Sequence, residues 1–205
     1  MIKLFHAWGS CSLAPFIALE EAGAGYEIAV ISTKDGEQRK PDYLALNPKG
    51  RVPALVTDRG VLTENVAILA WIAQAFPAAK LMPDDPWAFA QAQAFNSYLA
   101  STVHVAHAHG RRGSRWADQE SSFEDMRRKV PETMAACFQL IEDGMLAGPW
   151  VMGEQFTTCD AYLFTLSGWL ESDDVDLARF PKVQAHFERT AARPAVGKVL
   201  ARAAA

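Results

Sequence analysis

Cysteine is scarce in this 205-residue chain: three are present, at positions 11, 137 and 159. The count is odd, and no spacing matches a disulfide framework or a zinc site. A reducing, cytoplasmic setting is the simpler expectation. Long apolar runs are also lacking, and no stretch approaches the roughly 20 residues needed to span a bilayer. Met1-Ile2-Lys3-Leu4-Phe5-His6 reads as a strand and has neither the extended apolar core nor the small-residue cleavage site of a signal peptide. Charge of one sign is not in excess. The formal net charge of −4 offers no broad basic field for a nucleic-acid backbone, and Arg111, Arg112 and Arg115 form only a local basic spot. No nucleic-acid or membrane partner is therefore expected. Half of the residues are hydrophobic and about a fifth are charged, the balance of a packed globular protein rather than a disordered one.

The first third alternates in period. Ile2 to His6 is strand-like, Leu13 to Ala22 has helical spacing, and Tyr26 to Ser32 is β-branched again, which makes a βαβ unit. A short helical piece near Asp42 to Leu46 follows. Ala54 to Thr57 and Val61 to Thr63 then flank Asp58-Arg59-Gly60, a hairpin turn, and a helix is expected over Glu64 to Phe76. The segment Pro77 to Pro86 carries prolines and paired aspartates that stop helices. Beyond it the pattern is helical: Trp87 to about His109, Ser121 to Met145, Thr157 to Leu170, Pro181 to Ala192 and Ala195 to Ala203. The expected organisation is an α/β domain over 1–77, a linker over 78–86 and an all-α domain over 87–205, with the alanine-rich end from Ala201 to Ala205 fraying. Thr157-Thr158-Cys159-Asp160, preceded by Phe156, reads as a capping box that fixes the start of a buried helix.

Three short segments can carry chemistry. Gly9-Ser10-Cys11-Ser12-Leu13-Ala14-Pro15 joins the first strand to the first helix. Such a turn aims free backbone N–H groups and the positive end of the helix dipole at one point, which favours an anion such as a thiolate. Ser10 and Ser12 are possible donors to it. Spacing alone equally allows Ser12 as an N-cap and Cys11 as a small buried hydrophobe. Asn47-Pro48-Lys49-Gly50-Arg51-Val52-Pro53-Ala54-Leu55 ends in a proline at a strand entrance. A cis bond there would turn the Val52 backbone outward as a template for an extended peptide; the plainer reading is a turn. Leu62-Thr63-Glu64-Asn65-Val66 puts an acid and an amide at a helix start, where N–H groups can take a carboxylate and Glu64 an ammonium. Acidic residues also favour helix N-termini for their own sake.

In this order and at these separations, the three motifs resemble the N-terminal domain of cytosolic glutathione S-transferases, and the Cys11 form resembles the bacterial beta class. The resemblance implies a thioredoxin-like first domain of order βαβαββα and a helical second domain that forms the second-substrate site. It implies glutathione as substrate or co-substrate, no metal, and a homodimer. Cys11 would lie beside the glutathione sulfur with Ser10, Ser12 and His104 near it, because Ser101-Thr102-Val103-His104 resembles the beta-class segment that carries a histidine. Val52 and Pro53 would pair with the peptide backbone, Glu64 and Asn65 would take the γ-glutamyl end, and Lys34 or Arg51 the glycyl carboxylate. Trp8, His107, Trp116 and Phe123 are candidates for the second-substrate pocket. His104 and His107 can share a helical face, but no third and fourth ligand at zinc-like spacing accompanies them.

Two chemistries follow from the resemblance. One is conjugation of the glutathione thiolate to an electrophilic, apolar substrate. The other is thiol-disulfide exchange on a small disulfide substrate, with Cys11 as nucleophile. A non-catalytic binding or regulatory module is a third reading. Ser10-Cys11-Ser12 also resembles the zeta-class serine-cysteine motif of glutathione-dependent isomerases, a likeness that stops at Ala14, where that class has arginine.

Overall fold

The computed structural model describes residues 1–203. Strand β1 (Ile2–His6) pairs in parallel with β2 (Tyr26–Val30) and antiparallel with β3 (Ala54–Thr57), which pairs antiparallel with β4 (Gly60–Thr63). The mixed sheet thus runs β2-β1-β3-β4. The parallel pair needs a crossover, which α1 (Leu13–Glu21) supplies, whereas β3 and β4 need only a tight turn. Successive side chains of β1 point to opposite faces, so Leu4 is buried while Phe5 meets Tyr43 of α2 (Pro41–Leu46) edge-on at 5.5 Å. Helix α3 (Asn65–Ala75) packs beside α1. This is the thioredoxin-like arrangement.

Pro77 opens a single 3-10 turn, and the helical part begins at α4 (Pro86–Tyr98), capped by Asp85, whose carboxylate accepts from the Ala88 N–H at 2.8 Å. Helices α5 (His104–Arg111), α6 (Glu120–Leu140), α7 (Thr158–Ser167), α8 (Pro181–Ala191) and α9 (Pro194–Ala201) follow. Every residue of α7 is buried, which explains why it shows no polar face. Asp160 organises its start: the carboxylate accepts from the Thr157 N–H at 2.6 Å, from the Val151 N–H at 2.7 Å and pairs with His186 Nε2 at 2.9 Å.

Helix α1 packs on α3 on one side and on α7 and α9 on the other, so one continuous core spans both halves of the chain. Arg193 clasps Glu21 at the end of α1 through two bonds, Nε to Oε1 at 2.6 Å and Nη2 to Oε2 at 2.7 Å, while its guanidinium lies 4.0 Å from the Phe156 ring centroid.

Two helices expected to be continuous are not. The stretch expected to run from Trp87 to His109 changes to a π-turn over Leu99–Val103 before α5, and α6 ends in another over Ile141–Met145. The alanine-rich end is helical through Ala201, and the expectation of fraying at Ala204 and Ala205 falls outside the described residues. Among the described residues no helix is long and apolar enough to cross a membrane.

Candidate active site

The start of α1 faces the π-turn and α5 across a cleft. Its inner cavity is lined by Cys11, Val52, Pro53, Glu64 and Asn65 from the sheet-bearing half, and by His104, Val105, Ala108, Trp116 and Tyr162 from the helical half. With the solvent at its mouth it takes up about 730 Å³. An outer cavity continues it, lined by Ser10, Cys11, Val52, His104 and five arginines. Chain segments far apart in sequence therefore converge on Cys11.

The Cys11 thiol sits 3.6 Å from the Val52 carbonyl oxygen and is 8% exposed. Burial pushes it up to about 12; Arg112, its own backbone N–H and Arg51 oppose that shift, and Glu64 adds to it. At neutral pH Cys11 is a thiol. The two serines do not face it with free protons. Ser12 is fully buried, its Oγ 2.8 Å from His6 Nδ1 and 2.6 Å from Ser10 Oγ, and it accepts from the Ala7 N–H at 3.1 Å. Ser10 Oγ donates to the Ala7 carbonyl at 2.7 Å. Both hydroxyl protons have partners inside the turn, so neither Ser12 as a donor to sulfur nor Ser12 as a side-chain N-cap is realised.

The proline motif is locked from below. Tyr43 Oη and Asn47 Nδ2 each donate to the Arg51 carbonyl at 2.7 Å, and the Val52–Pro53 bond is cis. Glu64, the N-cap of α3, has φ +73°, a left-handed conformation costly for a residue with a Cβ. Its carboxylate is 2.6 Å from Lys49 Nζ, an exposed pair. The Asn65 amide Nδ2 donates to the Cys11 carbonyl at 2.8 Å, while Asn65 Oδ1 is buried without a partner. That orphaned acceptor, beside a carboxylate and helix N–H groups, suits an ammonium and carboxylate on one ligand end.

His104 lines both cavities. Burial, followed by Arg112, His107, Arg115 and Arg51, pushes its pKa down to about 3, so the ring is neutral. Trp116 lines the inner cavity, tilted against His109 at 4.4 Å.

Other expected residues lie elsewhere. Trp8 lines neither cavity; it stands edge-on to the buried His6 at 4.5 Å and packs on Phe16. His107 turns into the helical core, 2.7 Å from Asp173 Oδ2 and stacked on Trp169 at 4.3 Å. Lys34 is exposed and lines neither cavity, so Arg51 is the better-placed cation. Phe123 supports the rim rather than the cavity: a Cβ on Gly113 would lie 2.8 Å from its ring, so the turn carrying Arg112 and Arg115 needs glycine there. Among the described residues no group of three or more His, Cys, Asp or Glu is placed to hold a metal.

Sequence reasoning missed Asn47, Arg39, Tyr162 and the roles open to Arg112 and Arg115 in the cleft. The cluster Arg111-Arg112 and Arg115 was the available signal, because it follows directly on the helix that carries His104.

A thioredoxin-like sheet, a buried helical domain on its α1 side and a cleft between them that ends at a cysteine and a cis-proline define a class of two-part thiol-ligand enzymes. The chain belongs to the glutathione S-transferase family: residues 1–74 match "Glutathione S-transferase, N-terminal domain" and residues 101–194 match "Glutathione S-transferase, C-terminal domain". It is 31% identical to glutathione S-transferase GstA of Escherichia coli O157:H7 over 97% of each chain. Among solved structures, a glutathione transferase homologue from Sulfitobacter with bound glutathione is 48% identical, with a TM-score of 0.97 over 99% of this chain and 98% of that one. A bacterial beta class glutathione S-transferase from Sphingomonas chungbukensis is 32% identical, with a TM-score of 0.85 over 98% of each.

Proposed function

We propose that this glutathione transferase holds glutathione along Val52, with the γ-glutamyl end at Glu64 and Asn65, the glycyl carboxylate toward Arg51 and the sulfur beside Cys11. Its thiolate gives an electron pair to an electrophilic carbon on an apolar second substrate; a C–S bond forms and the leaving group departs with the electrons of the bond that breaks. The start of α1 and the Arg112 charge favour the thiolate, and positioning supplies the rest of the acceleration.

The observation that carries this reading is the state of Cys11. A buried thiol pushed up to about 12 is a poor nucleophile at neutral pH, so the reacting sulfur is the one glutathione brings. For the same reason thiol-disulfide exchange at Cys11 has less support. The apolar wall of Val105, Ala108, Trp116 and Tyr162 suits the second substrate. Family likeness and the prevalence of two-fold assemblies support a homodimer. Three free cysteines accord with a reducing cytoplasm.

The test is a Cys11→Ala variant assayed with glutathione and a chloronitrobenzene. Conjugation within about threefold of wild type supports the reading, and loss of about a hundredfold or more overturns it.

A further inference from the structure

The outer cavity is lined by Arg39, Arg51, Arg111, Arg112 and Arg115 and by no carboxylate. Among the described residues none of the five is in an ion pair, although seven other arginine and lysine side chains each pair with an acid within 3.4 Å. The cluster is close enough to feel itself: beyond the cost of burial, Arg51, Arg112 and Arg39 all act to depress Arg115.

Such crowding of one sign is unfavourable unless an anion sits among the guanidinium groups. Glutathione accounts for part of it. Its γ-glutamyl end carries both charges and belongs at Glu64 and Asn65 in the inner cavity. That leaves two negative centres for the outer one, the glycyl carboxylate near Arg51 and the thiolate facing Arg112. Arg39, Arg111 and Arg115 are left without a counterpart in the tripeptide, and of these Arg111 and Arg115 stand together, at the end of α5 and in the turn that follows it. Arg115 also lines the inner cavity beside Val105, Ala108 and Trp116, where the apolar body of a second substrate would lie.

We propose that the second substrate enters with an anionic group, a carboxylate or sulfonate attached to its apolar, electrophilic body, and that Arg115 with Arg111 receives it. A guanidinium fork suits either group, because both present paired oxygens. The apolar wall and the arginine rim then fix the two ends of the substrate and set its carbon toward the sulfur. This inference rests on the conjugation reading above.

The test uses calorimetry on the whole protein with two preformed adducts: glutathione S-linked to a nitrophenyl ring that bears a carboxylate, and the same adduct with a primary amide in its place. Glutathione itself is titrated alongside. The expected result is about tenfold tighter binding of the carboxylate adduct, a preference that shrinks as salt is raised. Arg115→Gln should bring the two adducts within about twofold of each other and leave glutathione affinity unchanged, and Arg115→Lys should restore part of the preference. Equal binding of the adducts by a wild-type protein that binds glutathione overturns this proposal alone. An Arg115→Gln variant that weakens glutathione and both adducts alike also overturns it. Failure of wild type to bind glutathione overturns the conjugation reading and this inference together.

Discussion

The Arg112 guanidinium lies 3.4 Å from Nε2 of His104. Arginine only donates, so Nε2 accepts, the imidazole proton is on Nδ1, and the cation of the cleft is Arg112 rather than the histidine. Arg112→Gln should therefore raise the pKa of the bound glutathione thiol by about one unit and slow conjugation about tenfold near neutral pH. His104→Gln, which keeps an acceptor, should change that pKa by less than about 0.3 units. Titration of the thiolate absorbance in the binary complex measures both.

Burial at Cys11 predicts inertness. A thiol pushed up to about 12 is about a thousandfold less ionised at pH 8 than a free one. Alkylation of the native protein followed by peptide mass spectrometry should show Cys11 modified slower by about that factor, with the rate restored on unfolding in urea.

Glu64 exchanges stability for position. Its φ of +73° costs on the order of 1 kcal/mol, more than its exposed pair with Lys49 returns. Glu64→Gly should raise the urea midpoint while weakening glutathione binding at least tenfold. A lower midpoint would mean that the backbone there is not strained.

Stability should fall in mild acid. Burial pushes His6 down to about 4, whereas an unfolded histidine takes its proton near 6.5. Between those values the unfolded chain binds the extra proton, so the contribution is complete above 6.5 and is lost as pH falls through 4. On its own this amounts to about 3 kcal/mol. Urea midpoints across that window should flatten in His6→Asn.

The Arg193–Glu21 clasp joins α9 to α1, and its removal should be felt by the whole molecule. Arg193→Ala should cost about 2 kcal/mol in a single, still cooperative urea transition. Arg193→Lys should recover less than half of it, because an ammonium can neither form the fork nor lie flat on Phe156.

The succession of strands and most helices was legible because each carries a local signal: the strand-like runs of β1 and β2 around a helical period, and turn residues between the short runs of β3 and β4. The resemblance carried by the three motifs likewise implied that Cys11, Val52, Pro53, Glu64 and Asn65 gather around one ligand, and all five line one cavity. What the sequence did not disclose depends on partners far along the chain. Nothing near His107 points to Asp173, 66 residues away, which draws it into the core. Ser12 reads as a donor to sulfur until His6, on the preceding strand, takes its hydroxyl inward. Arg39 and Arg115 come from different halves of the fold, so their convergence has no periodic signature.

The π-turn at Leu99–Val103 sets the rotational phase of everything after it. Such a turn accommodates one residue more than a regular helix would, and each residue of a regular helix advances the face by about 100°. Winding the same residues as one regular helix would leave a longer, smoother rod with no break between α4 and α5. It would also swing His104, Ala108 and the arginines beyond them around the helix axis relative to Cys11. The irregularity works as a keyway: it costs some helical regularity and indexes one half of the reaction cleft to the other.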